Sequence, residues 1–237
     1  MRPKIYLFGD SITEMSFEEA GWGASLTNHF ARTADVVLRG YSGYNTRWAL
    51  KVAERVFPAA GEAVAVTVFF GANDACLPDR CSAFQHVPLE EYGRNLRSIV
   101  SFLKERWPKA VVLLITPPPI DEEGRLQYIS NPYMENPSGL PERTNEAAGE
   151  YATACIDVAR ECGSPVIDLW AKMQQLPNWP TTCLSDGLHL SVAGNKVVFE
   201  EVVKKLEEVG VSLQTLPSDQ PLISHIDAKD PLKSFPN

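Results

Sequence analysis

Two stretches far apart in the chain carry side chains that together could cleave an ester. Lys4-Ile5-Tyr6-Leu7-Phe8-Gly9-Asp10-Ser11 runs apolar residues straight into a serine, and Asp186-Gly187-Leu188-His189 sets a carboxylate three residues before an imidazole. A serine hydroxyl is a weak nucleophile until a base takes its proton, and the base needs a third group to fix its tautomer. Ser11, His189 and Asp186 can fill these three roles. Read as a helical turn, 186–189 places the carboxylate and the ring on one face, with Cβ atoms about 5–6 Å apart. Asp186 would then accept from Nδ1–H and leave Nε2 to face Ser11. Structural roles compete: Ser11 as a turn or cap residue, and Ser185 or Asp186 as the cap of a helix starting near Ser191. His29 sits in a helical stretch, His86 in a polar loop and His225 near the end of the chain. Of the four histidines only His189 has a carboxylate at i−3.

Acyl transfer also needs donors aimed at the developing oxyanion. Gly71-Ala72-Asn73-Asp74 offers the Asn73 amide, and Arg39-Gly40-Tyr41-Ser42-Gly43-Tyr44-Asn45 offers backbone N–H groups at glycines. The Ser11 N–H is a third donor. Asp10 and Asp74 read as turn and cap carboxylates. Tyr44, Phe70, Leu77 and the 117–141 segment are candidate walls of the substrate pocket, with sheet core as the competing role for Phe70. For Arg47, Arg143 and Asn145, helix-face pairs or core hydrogen bonds outrank ligand contact.

The elements around these residues must bring positions 11 and 186 together. Apolar runs of strand length fall at 4–8, 35–39, 64–70, 110–116 and 165–168. They alternate with stretches of helical period at 18–33, 46–57, 89–106, 142–162 and 192–209. Such alternation predicts an α/β protein, a three-layer α/β/α sandwich around a parallel sheet of about five strands. Right-handed crossovers favour the flavodoxin-like order 2-1-3-4-5. Ser11 then follows strand 1, Gly43 strand 2 and Asn73 strand 3, all at the carboxyl edge where such sheets bind ligands. The 117–141 segment, rich in proline and glycine, reads as a long loop beside that edge. Residues 1–213 read as one domain, and the proline-bearing 214–237 as a tail laid on the surface or partly disordered.

Composition narrows the classes. The 237 residues are 44% hydrophobic and carry a formal net charge of −8. No basic cluster suggests nucleic acid or an anionic membrane as partner. The longest apolar runs, 63–70 and 110–115, fall well short of a membrane span. Five cysteines, an odd number without a CxxC pair, fit a reducing compartment and suggest no zinc site. With no apolar signal core at the N-terminus, a cytoplasmic protein is expected. No metal or other cofactor is expected, and self-assembly stays open.

The blocks resemble those of the SGNH hydrolases, also called the GDSL esterase/lipase family. Gly9-Asp10-Ser11-Ile12 matches the first block, with Ile12 where leucine is common. Gly43 matches the second-block glycine, Gly71-Ala72-Asn73-Asp74 the third block and Asp186-Gly187-Leu188-His189 the fifth. Arg39 to Leu50, Phe70 to Ala75 and Arg143-Thr144-Asn145-Glu146 are similar to the isoamyl-acetate-hydrolysing subgroup, most of all to its plant members, over nearly the whole chain. The resemblance implies Ser11 as nucleophile, His189 as general base and then acid, and Asp186 as orienting acid. It implies an oxyanion hole of the Ser11 N–H, the Gly43 N–H and the Asn73 amide. Second-block spacing also admits Gly40; the Ser-Gly context favours Gly43. The resemblance independently implies the three-layer fold.

The reading is a serine esterase of short-chain, chiefly acetyl, esters acting on a small-molecule substrate. An acyltransferase on the same scaffold is the nearest alternative, followed by a metal-dependent phosphoesterase using Asp10, Asn73, Asp74, Asp186 and His189, and a non-catalytic binding protein. The Gly-x-Ser-x-Gly elbow of an α/β-hydrolase is absent from the sequence.

Overall fold

The computed structural model describes residues 2–57, 61–129, 136 and 138–235. The five strands β1 (Lys4–Gly9), β2 (Asp35–Gly40), β3 (Ala63–Phe69), β4 (Val111–Ile115) and β5 (Val166–Ile167) form one sheet in the order β2-β1-β3-β4-β5. Every pairing is parallel, as the strand–helix alternation predicts.

The period-2 geometry of a strand sends neighbouring side chains to opposite faces, and each face has its own core. Ile5 and Leu7 of β1 join Leu113 and Ile115 of β4 on one side. That side is covered by α2 (Trp22–His29), α7 (Leu169–Gln174), α8 (Trp179–Cys183) and α9 (Val192–Glu208), through side chains such as Trp22, Leu26, Met173 and Val202. Tyr6 and Phe8 point the other way, with Val66, Val68, Val112 and Leu114. There α3 (Thr46–Val56), α4 (Leu89–Arg106) and α6 (Asn145–Glu161) cover the sheet through Ala49, Leu96, Ile99 and Cys155. Ile5, Leu7 and Phe8 are completely buried, and each such side chain contributes about 1.5–3 kcal/mol. Both faces of the sheet are thus dry, as an all-parallel sheet requires.

Helix ends follow local chemistry. Asn45, Thr144 and Ser191 each cap a helix by accepting from the backbone N–H three residues on. The predicted helix 18–33 is shorter, because a 3-10 turn at Met15–Phe17 and the close approach of Gly21 to Ser16 delay its start. The 117–141 segment is not simply a loop: it holds α5 (Glu122–Ile129). Its later part, 130–135 and 137, lies outside the described residues. Residues 214–235 carry short 3-10 turns at Ile223–His225 and Pro231–Ser234. Asp219 anchors this segment to Arg32, whose Nε donates to its carboxylate at 2.9 Å.

The carboxyl edge gathers the chemical residues. Ser11 opens the short helix α1 (Ser11–Glu14) directly after β1, with Asp10 as cap. Trp22 Nε1 donates to Ile12 O at 3.1 Å and the Trp22 N–H to Asn195 Oδ1 at 3.1 Å, so α1, α2 and α9 hold one another.

Candidate active site

Ser11 and His189, 178 positions apart, meet at this edge: the Oγ lies 2.9 Å from Nε2. The other ring nitrogen, Nδ1, lies 2.7 Å from Asp186 Oδ2. An ionised carboxylate only accepts, so Nδ1 carries the proton and Nε2 is left to accept from the serine hydroxyl. Burial works against the charge on Asp186. The hydrogen bond and charge of His189, the His189 N–H and the Arg125 guanidinium outweigh it and hold the carboxyl well below the usual range.

The Asp186–His189 segment is not a helical turn. Asp186 Oδ1 accepts from the N–H groups of Leu188 (3.0 Å) and His189 (2.8 Å), while the Ser185 N–H donates to His189 O at 2.8 Å. Gly187 has φ +81°, and a Cβ there would lie 2.4 Å from both Arg125 N and Asp121 O. The loop therefore needs glycine twice over, for its left-handed turn and for the start of α5 pressed against it. One oxygen of Asp186 builds the turn and the other orients the ring, so the i−3 pairing arises from an Asx-type loop. The cap of α9 is Ser191 rather than Ser185 or Asp186.

Asn73 follows β3 and is almost fully buried. Its Nδ2 donates to Tyr44 O at 2.9 Å, and its Oδ1 accepts from Arg143 Nη2 at 2.9 Å and Gln85 Nε2 at 3.2 Å. Arginine cannot accept, so the amide has one possible orientation, with the NH2 toward the Tyr44 side. Gly40 ends β2 opposite Gly9 and leaves room for α1; a Cβ there would lie 2.1 Å from Glu14 N. Gly43 sits in the following turn at φ +77°, its carbonyl accepting from Gln85 Nε2 at 2.9 Å.

Asp10 and Asp74 serve local structure. Asp10 Oδ1 accepts from the Ile12 N–H at 3.0 Å. Burial pushes its carboxyl up to about 7, against the pull of the Ile12 N–H, His189 and Arg143. Asp74 accepts from the Thr46 N–H at 3.0 Å and from the Thr46 hydroxyl, and burial raises it to about 7 as well. Among the described residues, no three His, Cys, Asp or Glu side chains converge as a metal-ligand set.

A cleft of about 360 Å³ opens beside His189, bordered by Ile12, Met15, Glu18, Leu190, Val192 and Asn195. None of Tyr44, Phe70 and Leu77 lines it. Phe70 belongs to the core: it is 1% exposed, with its ring edge-on to Phe8 at 4.8 Å. Tyr44 and Leu77 are half-buried. Arg47 forms a two-pronged surface pair with Glu91 (2.7 and 2.8 Å), and Asn145 braces Ile120, Trp170 and Gln174. His86 Nδ1 lies 2.6 Å from Cys76 O, and His29 packs edge-on against Phe30 and Phe199. Arg125, Glu142 and Gln85 were not among the expected residues. The contacts Gln85–Asn73, Arg125–Glu142 and Arg125–Asp186 span 12, 17 and 61 positions, and no local spacing announces them.

A family model described as GDSL-like lipase/acylhydrolase matches residues 5–202. A GDSL esterase/lipase of Arabidopsis thaliana is 70% identical, covering 99% of this chain and 98% of its own length. The isoamyl acetate-hydrolyzing esterase 1 homolog of Homo sapiens is 45% identical over 90% of this chain and 85% of that protein. A lipase/acylhydrolase from Enterococcus faecalis has the same fold, with a TM-score of 0.68 at 25% identity, covering 93% of this chain and all of that one. With the serine, the histidine and the carboxylate joined at the carboxyl edge of this sheet, the chain belongs to the GDSL lipase/acylhydrolase family.

Proposed function

We propose that Ser11, His189 and Asp186 hydrolyse short-chain carboxylic esters, acetyl esters above all, through an acyl-enzyme. The observation that carries this reading is the hydrogen-bonded run from Ser11 Oγ through both ring nitrogens of His189 to Asp186, at 2.9 and 2.7 Å. Ester hydrolysis as such accords with the family: the protein is a carboxylic ester hydrolase. Ser11 Oγ attacks the carbonyl carbon while His189 Nε2 takes its proton. The tetrahedral oxyanion is met by the N–H groups of Ser11 and Gly43 and by Asn73 Nδ2. Collapse expels the alkoxide, which takes the proton back from His189. Water then repeats the sequence on the acyl-enzyme and frees the acid.

Gly43 is preferred over Gly40 as a donor because the latter is committed to the sheet and to α1. The cleft beside His189 is small and edged by Ile12, Met15 and Val192, which suits a compact ester. Tyr44, whose carbonyl already holds Asn73, and Leu77 are proposed to border longer substrates on the oxyanion side. The catalytic unit is proposed to be residues 1–213, with 214–237 appended. The free thiols of Cys76, Cys81, Cys155, Cys162 and Cys183 accord with a reducing, cytoplasmic setting. Among the described residues no helix is long and apolar enough to cross a membrane.

A panel of nitrophenyl esters from acetate to decanoate, run beside acetylated sugars, tests the substrate claim. The rate should be highest for the shortest acyl groups and decline along the series; flat activity refutes it. Asn73→Ala tests the oxyanion donor. Loss of one such donor costs about 10²–10³ in kcat, and the variant should keep its fold by near-UV circular dichroism. Full activity in folded Asn73→Ala would remove Asn73 from the mechanism.

A further inference from the structure

A buried run of alternating charge lies behind the site. Arg125 Nη1 donates to Asp186 Oδ2 at 3.0 Å and reaches Asp186 O at 3.3 Å. Arg125 Nε donates to Glu142 Oε1 at 3.0 Å. The same Oε1 accepts from Arg143 Nη1. Arg143 Nη2 donates to Asn73 Oδ1 at 2.9 Å, and its Nε to Ala72 O at 2.8 Å. Arg125, Glu142 and Arg143 are all less than 5% exposed. One oxygen of Glu142 thus serves two guanidiniums, while its Oε2 has no hydrogen-bond partner among the described residues.

Such an arrangement is costly to bury. Desolvating three charges and leaving a carboxylate oxygen unpaired gains little stability over apolar packing. The two ends of the run are informative: one is the carboxylate that orients His189, the other the amide that faces the oxyanion. We propose that Arg125, Glu142 and Arg143 are positioning residues that lock the acid–base pair and the oxyanion donor into one rigid unit. This rests on the proposed roles of Asp186 and Asn73. Arg143 dictates which end of the Asn73 amide is free to donate. Arg125 shares Oδ2 with His189 Nδ1 and offsets the Asp186 charge, so the carboxylate orients the ring without holding its proton too tightly. Asp10 faces His189 from the β1–α1 turn, and Glu18 and Glu19 border the cleft that His189 lines.

Two measurements on the full chain test the proposal. The first is kcat/KM against pH, with nitrophenyl acetate, for wild type, Arg125→Gln and Arg125→Lys. In Arg125→Gln the uncompensated Asp186 charge should move the acid limb to higher pH and cut kcat about tenfold to a hundredfold with KM little changed. Arg125→Lys restores the charge without the fork, so the acid limb should return while part of the kcat loss stays. A folded Arg125→Gln with a wild-type limb, or an equal shift in both variants, overturns the Arg125 role.

The second measurement is a cycle of Arg143→Gln, Asn73→Ala and their combination. Because Arg143 acts through Asn73, the double variant should be no slower than Asn73→Ala alone. Losses that multiply would reduce Arg143 to general support and overturn its role. If Arg125→Gln fails to fold, Glu142→Gln, which loosens the join between both halves, replaces it and should lower kcat about tenfold. Wild-type kcat in folded Glu142→Gln overturns the joint unit. Fluorophosphonate labelling of wild-type Ser11 separates the two readings: labelled serine with unaffected variants sinks only the charged run, and unlabelled serine sinks the esterase mechanism itself.

Discussion

Replacing Ser11 with alanine should lower kcat for nitrophenyl acetate by roughly 10⁴–10⁶, with KM changed little. The size follows from what the hydroxyl does. Its Oγ is the atom that would bond to the acyl carbon, and at 2.9 Å from His189 Nε2 it already sits in line for proton removal. Without it His189 could still activate water, but water is neither positioned nor able to store the acyl group, so the two-step path is lost. The remaining rate would come from binding and from the oxyanion donors. The change should be nearly silent in stability. Ser11 is 8% exposed, and among the described residues its hydroxyl makes a single side-chain hydrogen bond, to His189. A bond of this kind contributes about 0.5–1.5 kcal/mol. Steady-state kinetics with a thermal melt on the same sample checks both halves. A folded Ser11→Ala within tenfold of wild type would reject the mechanism outright.

The fold was legible because the sheet writes its own parity into the sequence. Ile5 and Leu7 against Tyr6 and Phe8 already name two faces, and five such runs separated by helical stretches leave few topologies. The contact between Asp186 and His189 was legible as well, because three-residue spacing brings them into reach even though the connecting turn is not helical. Of its two competing roles, Phe70 takes sheet core for a reason of parity. It follows the last residue of β3 but keeps the alternation, so Phe69 faces one core and Phe70 the other, and neither faces solvent. The helix α5 was hidden behind three prolines and is only eight residues long. Its long-range contacts, from Arg125 to Glu142 and Asp186 and from Glu122 to the Asn145 N–H, leave no periodic trace. Charges paired across 61 positions obey three-dimensional neighbourhood alone, and so does the bond between Arg143 and Asn73.

Asp186→Asn should be the most informative isosteric change, with an expected loss in kcat of about 10⁴. The argument is one of donors and acceptors. Oδ1 accepts from two backbone N–H groups, those of Leu188 and His189, so the amide oxygen of an asparagine must take that place. Its NH2 then replaces Oδ2, where it meets His189 Nδ1 and Arg125 Nη1. Facing Arg125 it is donor against donor, and facing His189 it can bond only a ring nitrogen without a proton. The imidazole is driven to carry its hydrogen on Nε2, toward Ser11, and cannot accept the serine proton. Asp186→Ala gives the contrast. It removes the orienting oxygen without imposing the wrong tautomer, yet it also destroys the turn around Gly187. Asparagine should therefore melt closer to wild type than alanine and be at least as inactive. Should Asp186→Asn be folded and within tenfold of wild type, or much faster than Asp186→Ala, the carboxylate holds the loop and does not set the proton on His189.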